Sequence, residues 1–331
     1  MWRDNARLYG ELYNGGSNST ACTNTDMTST SLLIGSGSAI VGQQELNADI
    51  AEILIYKTTL SDADRATVKT YLRDRWLPVS TGALPVTNGL TLMLAADIGV
   101  TTSGTGVATL WRDQTGLEHN AQQTTASKRP LLVADQLRHK PVLRFDGVDD
   151  VMTIAAKSTT LITTNGYTMF AVFNPRSIKT DVANAWENAS VFMDWGNQTW
   201  GIPVRNKAGV PTFYACTYVS PPGNEITVAV TNGFSTNRFF IGSVWRDAAK
   251  IYGKLYGGGS NSATCTDPTE TTSTSLLIGA GNGTTGQELN ADIAEILIYI
   301  QALSGAQRDL VESYLFNKWL APPRGTVITV R

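Results

Sequence analysis

The chain has 331 residues, a formal net charge of −2, 42% apolar residues and 16% charged ones. The apolar share supports a packed core, while charge well below the usual quarter leaves the surface to Ser, Thr, Asn, Gln and Gly. There is no basic footprint for nucleic acid, no apolar run of membrane-spanning length, and no export-signal core in "MWRDNARLYGELYN". This profile suits an extracellular, cell-surface or virion β-protein whose export signal, if it is secreted, lies outside this sequence.

The first elements in chain order return later. "ELNADIAEILIY" stands at 45–56 and, letter for letter, at 288–299. Around it, "WRDNARLYGELYNGGSNSTACT" (2–23) matches "WRDAAKIYGKLYGGGSNSATCT" (245–266), "TSTSLLIG" (28–35) matches 272–279, and "LSDADRATVKTYLRDRWL" (60–77) matches 303–320. This is a duplication with a period of about 243 residues. Residues 1–77 read as the C-terminal third of a truncated unit, 78–89 as a linker, 90–320 as a complete domain, and 321–331 as a linker or the start of a further element. The first piece is expected to need strands it does not contain. They would come from a neighbouring chain or a segment outside this sequence, and otherwise the piece packs on its own chain as a partial sheet. In the first case the molecule would be a polymer of complemented units.

In the complete unit, "GLTLMLA", "VLRFDG", "YTMFAVF", "SVFMDW", "TFYACTY", "EITVAVT", "NRFFIGSVW", "KIYGKLY", "TSLLIG" and "ADIAEILIY" are rich in β-branched and aromatic residues, with turn formers between them. "YGGGSNSATCTD" (256–267) reads as a loop. "IGAGNGTTGQE" (278–288) precedes a strand rather than the helix a phosphate loop requires, so it reads as a hairpin loop. A single helix is predicted near 304–319, with Ser304 as its cap, Gln307 three residues on, and a stripe of Leu310, Val311, Tyr314, Leu315 and Trp319. The first copy repeats it with Ser61, Asp64, Val68, Tyr71, Leu72 and Trp76. Many strands and one late helix predict an all-β, antiparallel two-sheet sandwich or jelly roll.

"LRFDGVDDVMTI" (143–154), "ADIAEILIYIQALSGAQRDLVESYL" and "LWRDQTGLEHNAQQ" (110–123) with "RPLLV" resemble, in order, motifs of concanavalin A-like, laminin-G-type jelly rolls of the bacterial and phage kind. The resemblance covers 90–320 as a whole domain and 2–77 as the end of another. It implies a two-sheet jelly roll with a trailing helix, glycan recognition or adhesion, and calcium at the rim in many members. The chain departs from the family at Ala294, where members carry the Asp of a "DEV" strand.

Glycoside hydrolysis, the enzymatic activity known on that fold, needs two carboxylates flanking one bond. Asp292 and Glu295 are three apart and would face opposite sides of an ideal strand, so no catalytic pair is found and no enzyme is predicted. Asp146, Asp149 and Asp150 in "DGVDD" offer oxygen ligands for Ca²⁺, against the competing reading of Asp-Gly turn chemistry. His119 and His139, the only two histidines, lack partners at zinc or triad spacing. Trp186, Trp195, Asn197, Trp200, Tyr214 and Tyr218 could form a sugar platform, with "DWGNQTWG" as a rim loop; the competing reading puts the tryptophans in the core. Cys216 could pair with Cys265, leaving Cys22 odd; the competing reading is separate buried thiols. The expectation is thus a non-enzymatic recognition or adhesion module for glycans or another cell-surface ligand, with neighbouring copies of itself as partners and no membrane insertion. The alternative is a structural subunit of a surface fibre or phage virion.

Overall fold

The computed structural model describes residues 2–3, 6–11, 17–22, 34, 46, 50, 52–76, 84–156, 158–178, 189–195, 200–207, 209–219, 224–269, 274–280 and 287–321. The chain divides into two compact units, one of them Thr81–Pro322 and the other containing Met1–Ser80.

In the first unit, β1 (Trp2–Arg3), β2 (Arg7–Glu11) and β3 (Ser17–Ala21) form an antiparallel sheet in that order, and α1 spans Asp62–Trp76. Helix α1 starts where the sequence predicts: Ser61 Oγ accepts the Asp64 amide at 3.1 Å, satisfying one of the free donors of the first turn.

The second unit opens with β4 (Leu90–Ala95), β5 (Val100–Thr102), β6 (Ala108–Trp111), β7 (Ala121–Gln122), β8 (Leu131–Leu137), β9 (Lys140–Asp146), β10 (Met152–Ile154) and β11 (Tyr167–Ser177). It continues through β12 (Ala189–Trp195), β13 (Trp200–Lys207), β14 (Val210–Val219), β15 (Asn224–Val230), β16 (Phe240–Arg246), β17 (Lys250–Leu255), β18 (Ser260–Thr264), β19 (Ser275–Ile278) and β20 (Asn290–Tyr299). A short helix α2 spans Ser158–Leu161, and α3 spans Gly305–Leu315. One sheet runs β15-β14-β13-β12-β19-β10-β7-β6-β5; the other runs β18-β17-β16-β11-β20-β9-β8, with β4 also paired to β20.

The two sheets share one core, which makes the unit a β-sandwich. Alternation along each strand sends Trp200, Ile202, Val204, Phe213 and Ala215 from one sheet, and Met169, Ala171, Phe173, Ile293 and Ile296 from the other, into a single buried cluster. Phe173 and Phe213 stack across it with ring centroids 6.3 Å apart. A second cluster lies on the other face of the β20 sheet. There Phe170, Val172, Ile241, Leu297 and Tyr299 are covered by Val311, Leu315 and Trp319 of the α3 segment, together with Leu84 and Val86. Burial of those two residues ties part of the expected linker to the second unit.

Helix α3 carries the expected capping box: Ser304 Oγ accepts the Gln307 amide, and the Gln307 side chain accepts the Ser304 amide. It ends at Leu315 and continues as one wider π-type turn, Phe316–Leu320, which brings Lys318 and Trp319 inward. Leu310, expected on the apolar stripe, is instead exposed.

One of the two loop readings is corrected. Residues 260–264 are strand β18, because Lys250–Lys254 supplies a ladder partner for every one of them; Ser, Asn and Thr suffice at a sheet edge where only one neighbour must be matched. The stretch after β19 closes at its base as a hairpin does, with Ala280 bridged antiparallel to Glu288 and the Leu289 amide donating to the Gly279 carbonyl at 2.8 Å, although β19 then pairs with β10 and β12 while β20 pairs with β11, β9 and β4 in the other sheet. Residues 281–286 of that connection lie outside the described residues. Gly279 opens it at φ +84°, and a Cβ there would sit 2.1 Å from Phe145 Cδ1, so this corner accepts only glycine.

Candidate functional site

The closing strand β20 carries the two acids considered for catalysis. Its ladder with β11 slips by one residue, since Val172 faces Glu295 while Phe173 faces Ile293. The extra residue is Ala294. This bulge restarts the alternation, so Asp292, Ala294 and Glu295 all lie on the α3 side, and the expectation of opposite faces is corrected. Being neighbours does not make the acids a catalytic pair. Arg144 Nε lies 2.6 Å from Asp292 Oδ1 and its second nitrogen 3.1 Å from Oδ2, a two-point clasp that raises the guanidinium pKa. Glu295 receives Trp319 Nε1 at 2.6 Å and faces Lys318 Nζ at 2.7 Å. Burial pushes the Glu295 carboxyl up, and the Lys318 charge and the Lys318 and Trp319 hydrogen bonds pull it back. Both acids are thus committed to holding arginine, lysine and the π-type turn.

Beside Glu295 opens a cleft of about 400 Å³, lined by Leu90, Met93, Asp97, Gln114, Lys140 and Tyr314, with Lys318 and Thr115. Asp97 is bridged by Lys140 at 2.7 Å and by Lys318 at 3.1 Å. With Glu295, two carboxylates face two ammonium groups, so the cleft is neutral as a whole yet rich in donors and acceptors. Asp113 fixes one rim: it accepts the amides of Met93, Thr115 and His119, shaping the turn that presents Gln114 and Thr115. None of these lining residues was singled out from the sequence as a binding residue. The signal was there in the duplication, because Glu295, Tyr314, Lys318 and Trp319 correspond to Glu52, Tyr71, Arg75 and Trp76.

The acidic turn "DGVDD" joins β9 of one sheet to β10 of the other. Asp146 Oδ1 accepts the Val148 and Asp149 amides, and Asp150 Oδ2 accepts the Asp146 amide at 3.0 Å. Turn chemistry is therefore real, but it leaves an oxygen on each residue, and one from each of Asp146, Asp149 and Asp150 lies within 4.8 Å of the others. Burial, with Asp146 and Asp149 as like charges, pushes Asp150 up to about 6. Three hard oxygen donors in a crowded negative site are the kind of set that could coordinate Ca²⁺.

The expected sugar platform is not assembled among the described residues. Trp200 is fully buried, packed against Tyr167, because its position on β13 points into the shared core. Tyr214 lies on the opposite face of its sheet but is buried too, with the Arg205 guanidinium 5.6 Å from its ring centre. Tyr218 is half-buried near Glu225, and burial pushes its phenol up. Trp195 is backbone of β12, with its side chain outside the described residues, as are Trp186 and Asn197 altogether.

Cys216 and Cys265 are free, which corrects the expected disulfide. Each sulfur has another partner: the Cys216 thiol donates to Glu225 Oε1 at 3.1 Å, and Cys265 accepts from Arg246 Nε at 3.0 Å. Cys216 lies on β14 of one sheet and Cys265 just after β18 of the other, as two separate buried thiols.

No family profile matches the chain, and no curated protein matches it. Among solved structures, the chain is similar to the binding domain of Paraclostridial Mosquitocidal Protein 1, at 13% identity and a TM-score of 0.50, over 68% of this chain and 52% of that one. It also matches the botulinum neurotoxin serotype D ligand-binding domain in complex with N-acetylneuraminic acid, at 10% identity, TM-score 0.47, over 68% and 50% of the two chains. A third match is domain 4 of AbnA, a GH43 extracellular arabinanase from Geobacillus stearothermophilus, in complex with arabinotriose, at 14% identity, TM-score 0.48, over 67% and 98%. The chain spans about half the length of the two toxin domains. At such identities the first of these likenesses establishes a shared β-sandwich fold. No described helix is long and apolar enough to cross a membrane.

Proposed function

We propose that Thr81–Pro322 is a two-sheet jelly roll of the concanavalin A-like kind that acts as a non-enzymatic recognition module for glycans at a cell or particle surface. The observation that carries this reading is the neutral cleft of about 400 Å³ between the Gln114 turn and the Lys318 turn. A sugar without charge needs planar amide and carboxylate acceptors, ammonium donors and an aromatic edge, all at fixed positions. Gln114, Asp97, Lys140 and Tyr314 offer these groups, and the ion pairs hold them in place before any ligand arrives. An ionic ligand would require a surplus of one charge, which the cleft lacks. The commitment of Asp292 and Glu295 to structural cations supports binding without hydrolysis. Ca²⁺ at the Asp146 turn would stiffen the junction between the two sheets and is not part of the cleft.

The test is a glycan array followed by calorimetry with the full chain and with Gln114→Ala and Lys140→Met. Saturable binding of neutral glycans, lost in both variants while the fold persists, is the expected result. Binding that both variants retain would place the site elsewhere, and no binding to any glycan would favour the structural-subunit reading. That second reading has its own observation in the first unit, where Ile53 and Ile55 are exposed.

A further inference from the structure

The first unit already holds the local architecture of the second. Trp2 faces Tyr9 across β1–β2 as Trp245 faces Tyr252 across β16–β17, and the β2–β3 register Arg7↔Ala21 to Glu11↔Ser17 equals Lys250↔Thr264 to Lys254↔Ser260. The stacked ring pairs recur, at 5.0 Å for Trp2–Tyr9 and 4.8 Å for Trp245–Tyr252, and each is covered by an arginine from its helix, Arg65 or Arg308. Even the contact between helix and closing segment recurs: Tyr71 Oη donates to Glu52 at 3.1 Å, as Tyr314 Oη does to Glu295 at 3.3 Å.

One element differs. In the second unit the last ten of the repeated twelve residues form β20, with Ala291–Tyr299 all buried and strands paired on both edges. In the first unit the described part of the same sequence, Leu46, Ile50 and Glu52–Tyr56, belongs to no strand. Ile55 is 70% exposed where its twin Ile298 is 0%, and Ile50, Ile53, Leu54 and Tyr56 are exposed as well. Identical residues cannot differ in propensity, so the difference is one of partners. An exposed apolar segment that belongs to no strand is a template for added strands.

We propose that Ile50–Tyr56 is a docking segment for a polypeptide carrying the first two-thirds of this same repeat unit, the part equivalent to residues 84–244. The second unit shows what covers this sequence: strands of the kind of β11 on one edge, and of β9 and β4 on the other, presenting Met169, Ala171, Phe173, Leu143 and Leu92 to its inner face. No other occupant has a demonstrated fit to these twelve residues. Such pairing would join repeat units end to end, each closing the next.

The experiment extends the full chain by a copy of residues 84–244 placed directly before Trp2. Ile55→Cys, in a Cys22→Ser background, reports accessibility by maleimide labelling. The expected result is rapid labelling in the unextended chain, slowing on the order of a hundredfold in the extended one, as a locally exposed site becomes part of a cooperative core. Ile53→Asp should restore rapid labelling in the extended chain while leaving the melting of the second unit unchanged. Equal labelling rates with and without the extension would overturn the proposal. So would protection in the unextended chain, either as a monomer or as a dimer that forms with rising concentration, because the segment would then already have another occupant.

Discussion

Lys318 Nζ lies 2.7 Å from Glu295 Oε2, with the two side chains 3% and 0% exposed. The pair pins the π-type turn after α3 onto the bulge of β20, and its lysine lines the cleft. A buried ion pair is poor evidence of net stabilisation, but removing one partner strands the other in a medium that cannot solvate it. Lys318→Met should therefore cost about 3–5 kcal/mol in denaturant unfolding. The double variant Lys318→Met/Glu295→Gln should recover much of that loss. Additive losses would mean that the two charges do not act as a pair.

The acidic turn sets a pH dependence. Asp150 is pushed up to about 6 in the folded chain, above its ordinary value, so the folded state holds a proton that the unfolded chain releases at lower pH. For a carboxyl raised in this way, stability is fullest below about pH 4 and declines as pH rises through 6. Asp150→Asn should flatten that decline and raise the melting temperature at pH 7, with no gain at pH 4. Millimolar Ca²⁺ should raise the melting temperature of the parent chain at pH 7 and leave Asp150→Asn less affected. A calcium response that survives in Asp150→Asn unchanged would exclude this turn as its source.

Thiol chemistry separates the three cysteines. Cys216 and Cys265 are buried and Cys22 is not, and burial raises the Cys216 thiol well above its ordinary value. Titration with a disulfide reagent should find Cys22 alone reactive in native buffer, and all three cysteines reactive in denaturant without reductant. A chain that yields only one thiol after unfolding would restore the disulfide.

Gly279→Ala tests the corner between the sheets. A Cβ at φ +84° would collide with the Phe145 ring, so thermal or chemical unfolding should show a loss of roughly 3 kcal/mol, from crowding and backbone strain together. A loss no larger than that of an exposed glycine in a loop, such as Gly104, would show that Phe145 can yield.

What could be read from the sequence followed the physics that sequence carries locally. All ten expected strands of the complete unit appear, because β-branched and aromatic runs between turn residues signal buried strands directly. The Ser304 cap is equally local. Short elements such as the edge strands Val100–Thr102 and Ser260–Thr264 and the inner two-residue strand Ala121–Gln122 were missed, since their residues are polar or few and they exist only because a neighbour offers a ladder. The Ala294 bulge likewise shows only in the register between β20 and β11. The cleft was missed because its parts come from four separated stretches, around Asp97, Gln114, Lys140 and Lys318, and charged residues read one at a time look like solvated surface. Trp200 shows the reverse error: a tryptophan beside Gly and Asn suggests a rim, yet strand parity sends it inward.

One sequence stands in two environments in this chain, and amide hydrogen exchange on the full chain measures the difference directly. Peptides that extend into the differing flanks, through Lys57 in one copy and Ile300 in the other, distinguish the two segments by mass. Amides of 293–299 should exchange only with global unfolding of the second unit, while those of 53–56 should exchange within seconds, as for an exposed segment outside any strand. Slow exchange at 53–56 matching that of 293–299 would contradict the account, because it would mean that the first copy already has its strand partners.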